Sequence, residues 1–300
     1  METRAFRVCV IGGDERQRVV AERLAAAGRT VHHWGLGPSF EIARAQGFRE
    51  WQDAVRGTEV MIFPLPCSED GVWIRTPLET EARVRMTAAL EHFCGRMLIG
   101  GRLPESIKAA AEARAIGTCE LLEEERLQMF NAIPTVEGAL SIALRELPYT
   151  LWGSRVAVIG CGRIGTLLAE RLHVLGAQVT VYARKERDRL YARVRGMEAE
   201  PLSVGTEGAE GILFPGSCRV IFNTVPQRVF SEEVLRTLPP DVLVIDLASA
   251  PGGVDHAAAA RTARHVIWAT ALPGRMFPKS AGEILASTLE ELLREGELLC

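Results

Sequence analysis

The sequence predicts an α/β protein built from two doubly wound, Rossmann-like domains with a cleft between them, and three observations carry that reading. Apolar runs of strand length alternate with segments of helical periodicity along the 300 residues. A strand–turn–helix–strand pattern occurs twice, at VCVIGGDERQ near the start and at RVAVIGCGRIG midway. The second copy alone carries full dinucleotide-turn spacing, so the halves share an architecture and differ in what they bind. A chain of this length suits two ordinary domains, each with its own core.

In the first domain, assigned to residues 1–128, the strands are VCVIGG, TVHHWG, EVMIFPLP and RMLIGG, with helices near 15–27 and 79–92. Gly12 and Gly13 are adjacent, and Arg16 or Gln17 stands where a third glycine would fall, so this β-α-β unit lacks the turn that cradles a pyrophosphate. A connecting helix is assigned to 129–150, where Pro134 suits a first helical turn. Glu137 then falls in that same turn, where the helix dipole favours an acid whether or not it faces a ligand. Residues 151–280 form the second domain, with VIFNTVP, VLVIDLA and HVIWATA as later strands. The stretch SAGEILASTLEELLREGELL reads as an amphipathic helix, by which residues 281–300 rejoin the first domain.

The second glycine turn passes the contextual tests. Residues 156–159 supply the strand, Gly160, Gly162 and Gly165 the spacing, Arg163 and Ile164 the intervening positions, and an apolar-periodic helix follows to Gly176. The next strand ends at Ala183, Arg184 and Lys185 rather than at an acid for the ribose hydroxyls. A guanidinium suits a 2′-phosphate, so NADP is favoured over NAD; the alternative is that both cations only solvate a charged loop.

Ligands of an open α/β sheet sit beyond the carboxyl ends of its strands. Those ends place Asn223, Thr224, Val225 and Pro226, then Leu247 and Ala248 with the glycines of DLASAPGGVD, where a cofactor's ribose or nicotinamide would lie. Ordinary turn chemistry is the competing reading. The first half offers Asp14, Arg16, Gln17, residues 68–70 and Arg102, and the last loop Arg275 and Lys279.

Composition argues against several classes. A formal charge of −3 with no polybasic face offers nothing for nucleic acid, and no apolar run approaches a membrane span. The first strand begins within a few residues, leaving no room for a signal segment, so a cytoplasmic location is expected. Cysteines 9, 67, 94, 119, 161, 218 and 300 are scattered, without metal-ligand spacing, which fits reduced thiols and no metal site. Cys161 fits the glycine turn on steric grounds, and no cysteine is assigned to catalysis.

LPGRMFPKSAGEIL resembles the P-H-x-A-G stretch of the 2-hydroxyacid dehydrogenases, whose architecture the whole chain resembles, with Lys279 where their acid–base histidine would stand. Their substrate-binding arginine loop is similar to DLASAPGGVD, but serine and alanine occupy the arginine's neighbourhood, which disfavours a plain keto-acid reductase. IGGDERQ, FNAIPTVEGA, GCGRIG, NTVP, DLASAPGGVD and LPGRMFPKSAGEIL together, in this order, resemble the family of dipicolinate synthase A subunits from spore-forming bacteria almost end to end.

That resemblance implies a nicotinamide dinucleotide, a flavoprotein-like dipicolinate synthase B subunit as partner, assembly into a homo-oligomer, and oxidation of dihydrodipicolinate to dipicolinate in the mother cell late in sporulation. The substrate's two carboxylates are assigned to Arg16 and Lys279, with Glu137 as a cleft-facing carboxylate that orders substrate or acts as a base. A solvated or structural ion pair, Arg16 with Asp14 or Glu15, is the competing reading. Two other classes stay open: another NADP-dependent oxidoreductase, of hydroxyacid or shikimate type, and a non-catalytic nucleotide-binding protein that supports its partner's activity.

Overall fold

The computed structural model describes residues 6–37, 41–42, 44–202, 214 and 216–295; Cys300 and the last five residues of the expected C-terminal helix lie outside the described residues. The chain divides into two compact units, residues 1–131 with 273–300, and residues 132–272.

The first unit contains β1 (Arg7–Ile11), α1 (Glu15–Ala26), β2 (Thr30–Trp34), β3 (Ala45–Gly47), α2 (Trp51–Val55), β4 (Val60–Ile62), α3 (Met86–His92), β5 (Met97–Gly100), α4 (Glu105–Glu112) and β6 (Gly117–Glu120). α5 (Glu125–Glu146) carries the chain across the division. The strands form one parallel sheet in the order β3-β2-β1-β4-β5-β6. Between β1 and β4 the chain reverses its direction of winding, and such a switch point leaves a crevice at the carboxyl ends of the two strands. Val8, Val10 and Ile62 are wholly buried because helices cover both faces of a parallel sheet.

The second unit repeats this order with β7 (Arg155–Ile159), α6 (Arg163–Val174), β8 (Gln178–Ala183), α7 (Glu186–Val194), β9 (Glu198–Pro201), β10 (Cys218–Asn223), α8 (Glu232–Thr237), β11 (Leu243–Asp246), α9 (His256–Arg261) and β12 (His265–Trp268). Its parallel sheet runs β12-β11-β10-β7-β8-β9, which puts the switch point between β7 and β10. Both halves are therefore doubly wound α/β units, as the alternating pattern predicts.

α10 (Leu272–Met276) and α11 (Pro278–Glu295) end the described chain. α11 packs on α1 through small residues: a Cβ on Gly282 would stand 2.7 Å from Val19 Cβ and 3.0 Å from the Arg16 carbonyl oxygen. Leu285, Ala286 and Leu289 join Val20 and Leu24 in the same core. Among the described residues no helix is long and apolar enough to cross a membrane.

Two local expectations are corrected. The helix expected over 79–92 is confined to Met86–His92, because residues before it pair as strand: Ile74 N–H donates to Val84 O at 2.9 Å and Met86 N–H to Val72 O at 3.0 Å. Burial of Ile74 and Val84 drives that pairing. Pro134 does not open a helix; it lies inside α5, nine residues after Glu125. A proline there removes one helical hydrogen bond at a cost of about 3 kcal/mol. Leu127, Ala132, Val136, Ala139 and Ala143, a buried stripe at helical spacing, offset that cost. Glu137 is consequently mid-helix and exposed, and the first-turn dipole argument does not apply to it.

Candidate functional site

The three glycines of the turn after β7 have three different jobs, each visible in what a Cβ would meet. Gly160 has φ +98°, and a Cβ there would stand 2.5 Å from Thr224 Oγ1, so this turn presses against the loop after β10. Gly165 packs α6 against the turn, since a Cβ would lie 2.3 Å from the Gly160 carbonyl oxygen. At Gly162 a Cβ would meet nothing within 4 Å. Gly162 is the N-cap of α6 and offers no side chain to that terminus, so nothing on the glycine itself blocks an approach to it. An open helix N-terminus on a glycine turn suits a pyrophosphate, so these residues fit a dinucleotide. Arg163 is exposed and Ile164 half-buried on the first turn of α6.

Beside that turn, the loops after β10 and β11 are locked together by two buried polar side chains. Asn223 Nδ2 donates to Asp246 Oδ1 at 2.8 Å and to the Val225 carbonyl at 3.0 Å, while Asn223 Oδ1 accepts from Val225 N–H at 3.2 Å. Asp246 also accepts from the N–H groups of Ala248 at 3.1 Å and Gly253 at 2.9 Å. Gly253 has no substitute here, because a Cβ would stand 2.0 Å from Asn223 Nδ2. His256 Nε2 lies 3.9 Å from Asp246 Oδ2, and its ring stacks on Trp268, whose Nε1 donates to Ala248 O. Thr224 Oγ1 donates to Ile159 O at 2.8 Å and Leu247 N–H to Asn223 O at 2.8 Å, so 223–226 and 247–248 are fixed at the carboxyl edge of the sheet. Sequence reasoning singles out neither Asp246 nor Asn223's link to it; the available signal is a carboxylate closing an otherwise apolar strand.

At the end of β8, Ala183 is buried while Arg184 and Lys185 are exposed. Arg184 Nη1 reaches Gln227 Oε1 at 3.5 Å, and Lys185 is the N-cap residue of α7. Arg189 donates to the carbonyls of Ala183 and Arg184, both at 2.8 Å, and fixes the backbone that presents these cations.

In the first unit the loop after β1 is a capping box rather than a dinucleotide turn: Asp14 accepts from Arg16 N–H at 3.1 Å, and Gln17 Oε1 accepts from Asp14 N–H at 3.1 Å. Gly13, with φ +114°, has no room for a Cβ because the Gln17 side chain fills that space. Arg16 is held by Asp14 through Nε and Nη2 at 2.9 and 2.8 Å, and Nη2 also donates to Leu65 O in the loop after β4. Arg75 Nη1 donates to the same Asp14 Oδ2 at 2.9 Å. Burial works to raise the Asp14 carboxyl; the hydrogen bonds and charge of Arg16, with the hydrogen bond from Arg75, outweigh it and hold the group below its ordinary value.

Arg16 and the segment carrying Lys279 are brought together within this unit, since Gly274 packs on the Arg16 guanidinium and Gly282 on its backbone. Lys279 is exposed in the first turn of α11 rather than in a loop ending a strand, because α10 intervenes after β12. Glu137 belongs to the other unit. Burial pushes the Cys67 and Cys218 thiols up to about 11 and Cys119 up to about 12, and these groups are thiols, not thiolate nucleophiles, at neutral pH.

Two parallel six-stranded sheets, the second with a complete glycine turn at its switch point, define an α/β protein of the nicotinamide-dependent dehydrogenase class. Residues 141–267 match the D-isomer specific 2-hydroxyacid dehydrogenase NAD binding domain, and residues 7–122 match the N-terminal domain of the dipicolinate synthase A subunit. The dipicolinate synthase A subunit of Bacillus subtilis strain 168 is 31% identical over 297 residues, 97% of this chain and 96% of that one. The crystal structure of the Bacillus halodurans dipicolinate synthase A subunit superposes with a TM-score of 0.87 at 26% identity, covering 97% of this chain and 98% of that one. The Bacillus subtilis crystal structure gives 0.86 at 27% identity, with 97% of each chain covered. The chain belongs to the family of dipicolinate synthase A subunits.

Proposed function

We propose that this chain oxidises dihydrodipicolinate to dipicolinate, with NADP as the hydride acceptor, and that it works with the flavoprotein-like B subunit of dipicolinate synthase. The observation that carries the proposal is the meeting of the open Gly162 turn with the locked 223–226 loop, in a chain of this family. When bound, a nicotinamide would supply the acceptor for the hydride that leaves the dihydropyridine ring. The same ring loses one proton and becomes aromatic, so the product supplies much of the driving force and no elaborate acid–base machinery is required.

The chain's own residues then have mainly positioning tasks. The N–H groups of 162–165 would hold the pyrophosphate, and Arg184 with Lys185 would hold the 2′-phosphate. Asn223, Thr224, Val225 and Pro226, with Leu247 and Ala248, would border the nicotinamide ribose. Arg16 and Lys279 supply charge to the substrate's two carboxylates, and Glu137 is assigned to ordering substrate or to taking the ring proton. The lowered Asp14 stays ionised and keeps Arg16 in place through the working pH range. We place the reaction in the mother cell of a sporulating bacterium and the chain in a homo-oligomer.

The test is to follow dipicolinate formation from dihydrodipicolinate with NADP or NAD, with and without the B subunit. Dipicolinate formed in step with NADPH supports the proposal. NADP reduction with a 2-hydroxyacid or a shikimate-type substrate instead, or dipicolinate formation independent of this chain, would overturn it.

A further inference from the structure

We infer that Arg75 is a specificity-determining residue, whose guanidinium receives one carboxylate of a dianionic substrate beside Arg16. The inference rests on the dihydrodipicolinate reading and deepens it. Arg16 and Arg75 both donate to the same oxygen, Asp14 Oδ2, so their guanidiniums cannot stand farther apart than two hydrogen bonds end to end. The two guanidiniums share Asp14, and the second carboxylate that balances them, Glu69, is 80% exposed, so solvent weakens its hold on Arg75. A guanidinium held firmly on one side and weakly on the other can accept a further carboxylate on its outer edge.

The place is also right. Arg16 stands at the β1 end of the first unit's switch point and is tied to Leu65 in the loop after β4, the crevice where open α/β sheets receive ligands. Arg75 is clamped there through its backbone, with its N–H donating to Cys67 O at 3.0 Å and its carbonyl accepting from Gly13 N–H at 2.8 Å. Its side chain uses Nε on Glu69 and Nη1 on Asp14, which leaves the Nη2 edge to a ligand. A cavity of about 270 Å³ opens beside it, lined by Trp73, Thr76 and Arg83 and, on its acidic side, by Glu69 and Asp70. Arg16 by contrast is 12% exposed, with Nε and Nη2 engaged and the guanidinium packed on Gly274, so it serves as the buried member of the pair.

A preorganised guanidinium edge discriminates by number of carboxylates, because a ligand with one carboxylate cannot reach this charge and the rest of the site together. The experiment measures dissociation constants of the full chain, NADPH present, for pyridine-2,6-dicarboxylate and for pyridine-2-carboxylate in wild type, Arg75→Gln and Arg75→Lys. Wild type is expected to prefer the dicarboxylate, Arg75→Gln to lose about thirtyfold on it with little change for the monocarboxylate, and Arg75→Lys to fall between. NADPH affinity, read in the other unit, stays unchanged and reports a folded protein. Retained selectivity in Arg75→Gln, or equal losses for both ligands in both variants, would overturn the inference alone. A wild type that binds NADPH and neither pyridine carboxylate would overturn the dihydrodipicolinate reading and this inference with it.

Discussion

Asn223 and Asp246 are both fully buried, and the amide of one donates to the carboxylate of the other at 2.8 Å, joining the ends of two neighbouring strands. Replacing Asp246 by alanine would leave Asn223 Nδ2 and the N–H groups of Ala248 and Gly253 without that acceptor. A loss of about 3 kcal/mol of stability is expected, together with weaker cofactor binding from the loosened 247–253 loop. Urea unfolding and NADPH titration of Asp246→Ala check both, and an unchanged midpoint would show that the pair does not hold the loops.

The glycines separate binding from folding. Gly162 has φ −85° and open space before it, so Gly162→Val should fold and melt like wild type while losing NADPH binding. Gly165→Ala should instead destabilise, because its Cβ would collide with the Gly160 carbonyl. Thermal melts beside cofactor titrations separate the two; NADPH binding retained in Gly162→Val would remove this turn from the site.

The central strands are legible in the sequence because both faces of a parallel sheet are buried, so β1, β4, β10 and β11 read as apolar runs. The edge strands β3 (AQG), β6 (GTCE) and β9 (EAEP) are not, since they carry no apolar run, whereas the fourth edge strand, β12 (HVIW), is legible because it does. The start of α5 is illegible because a proline is a helix-start signal locally, whereas burial of the stripe around it decides the outcome. The glycine turn is legible because its demands are on the backbone and fall within a few consecutive residues. Arg75 is not, because it meets Asp14 from 61 positions away and no local pattern announces that meeting.

Cofactor preference should follow Arg184, which is exposed at the end of β8 and backed by Gln227 and Arg189. NADPH is expected to bind more tightly than NADH, and Arg184→Asp to reverse most of that preference, on the order of a tenfold loss for NADPH. Calorimetric titration of both cofactors measures it; equal affinities in wild type would refute the assignment.

Asp14 carries a pH signature. Its carboxyl lies below the ordinary 3.8 in the folded chain, so the proton binds the unfolded state more readily. The stabilisation from its two arginine contacts is therefore full above the unfolded value and is lost as pH falls through the folded one. Unfolding of wild type and Asp14→Asn from pH 7 down to about pH 2 should show a gap that closes with acid. A gap independent of pH would mean that Asp14 contributes through shape and not charge.

The most direct measurement follows dihydrodipicolinate, NADP and the B subunit with wild type and with Gly162→Val, recording dipicolinate and NADPH together. Wild type should form the two in equal amounts, and Gly162→Val, folded and present at the same concentration, should form neither above background. Equal rates of dipicolinate formation by the two proteins, or dipicolinate without NADPH, would contradict hydride transfer at this glycine turn.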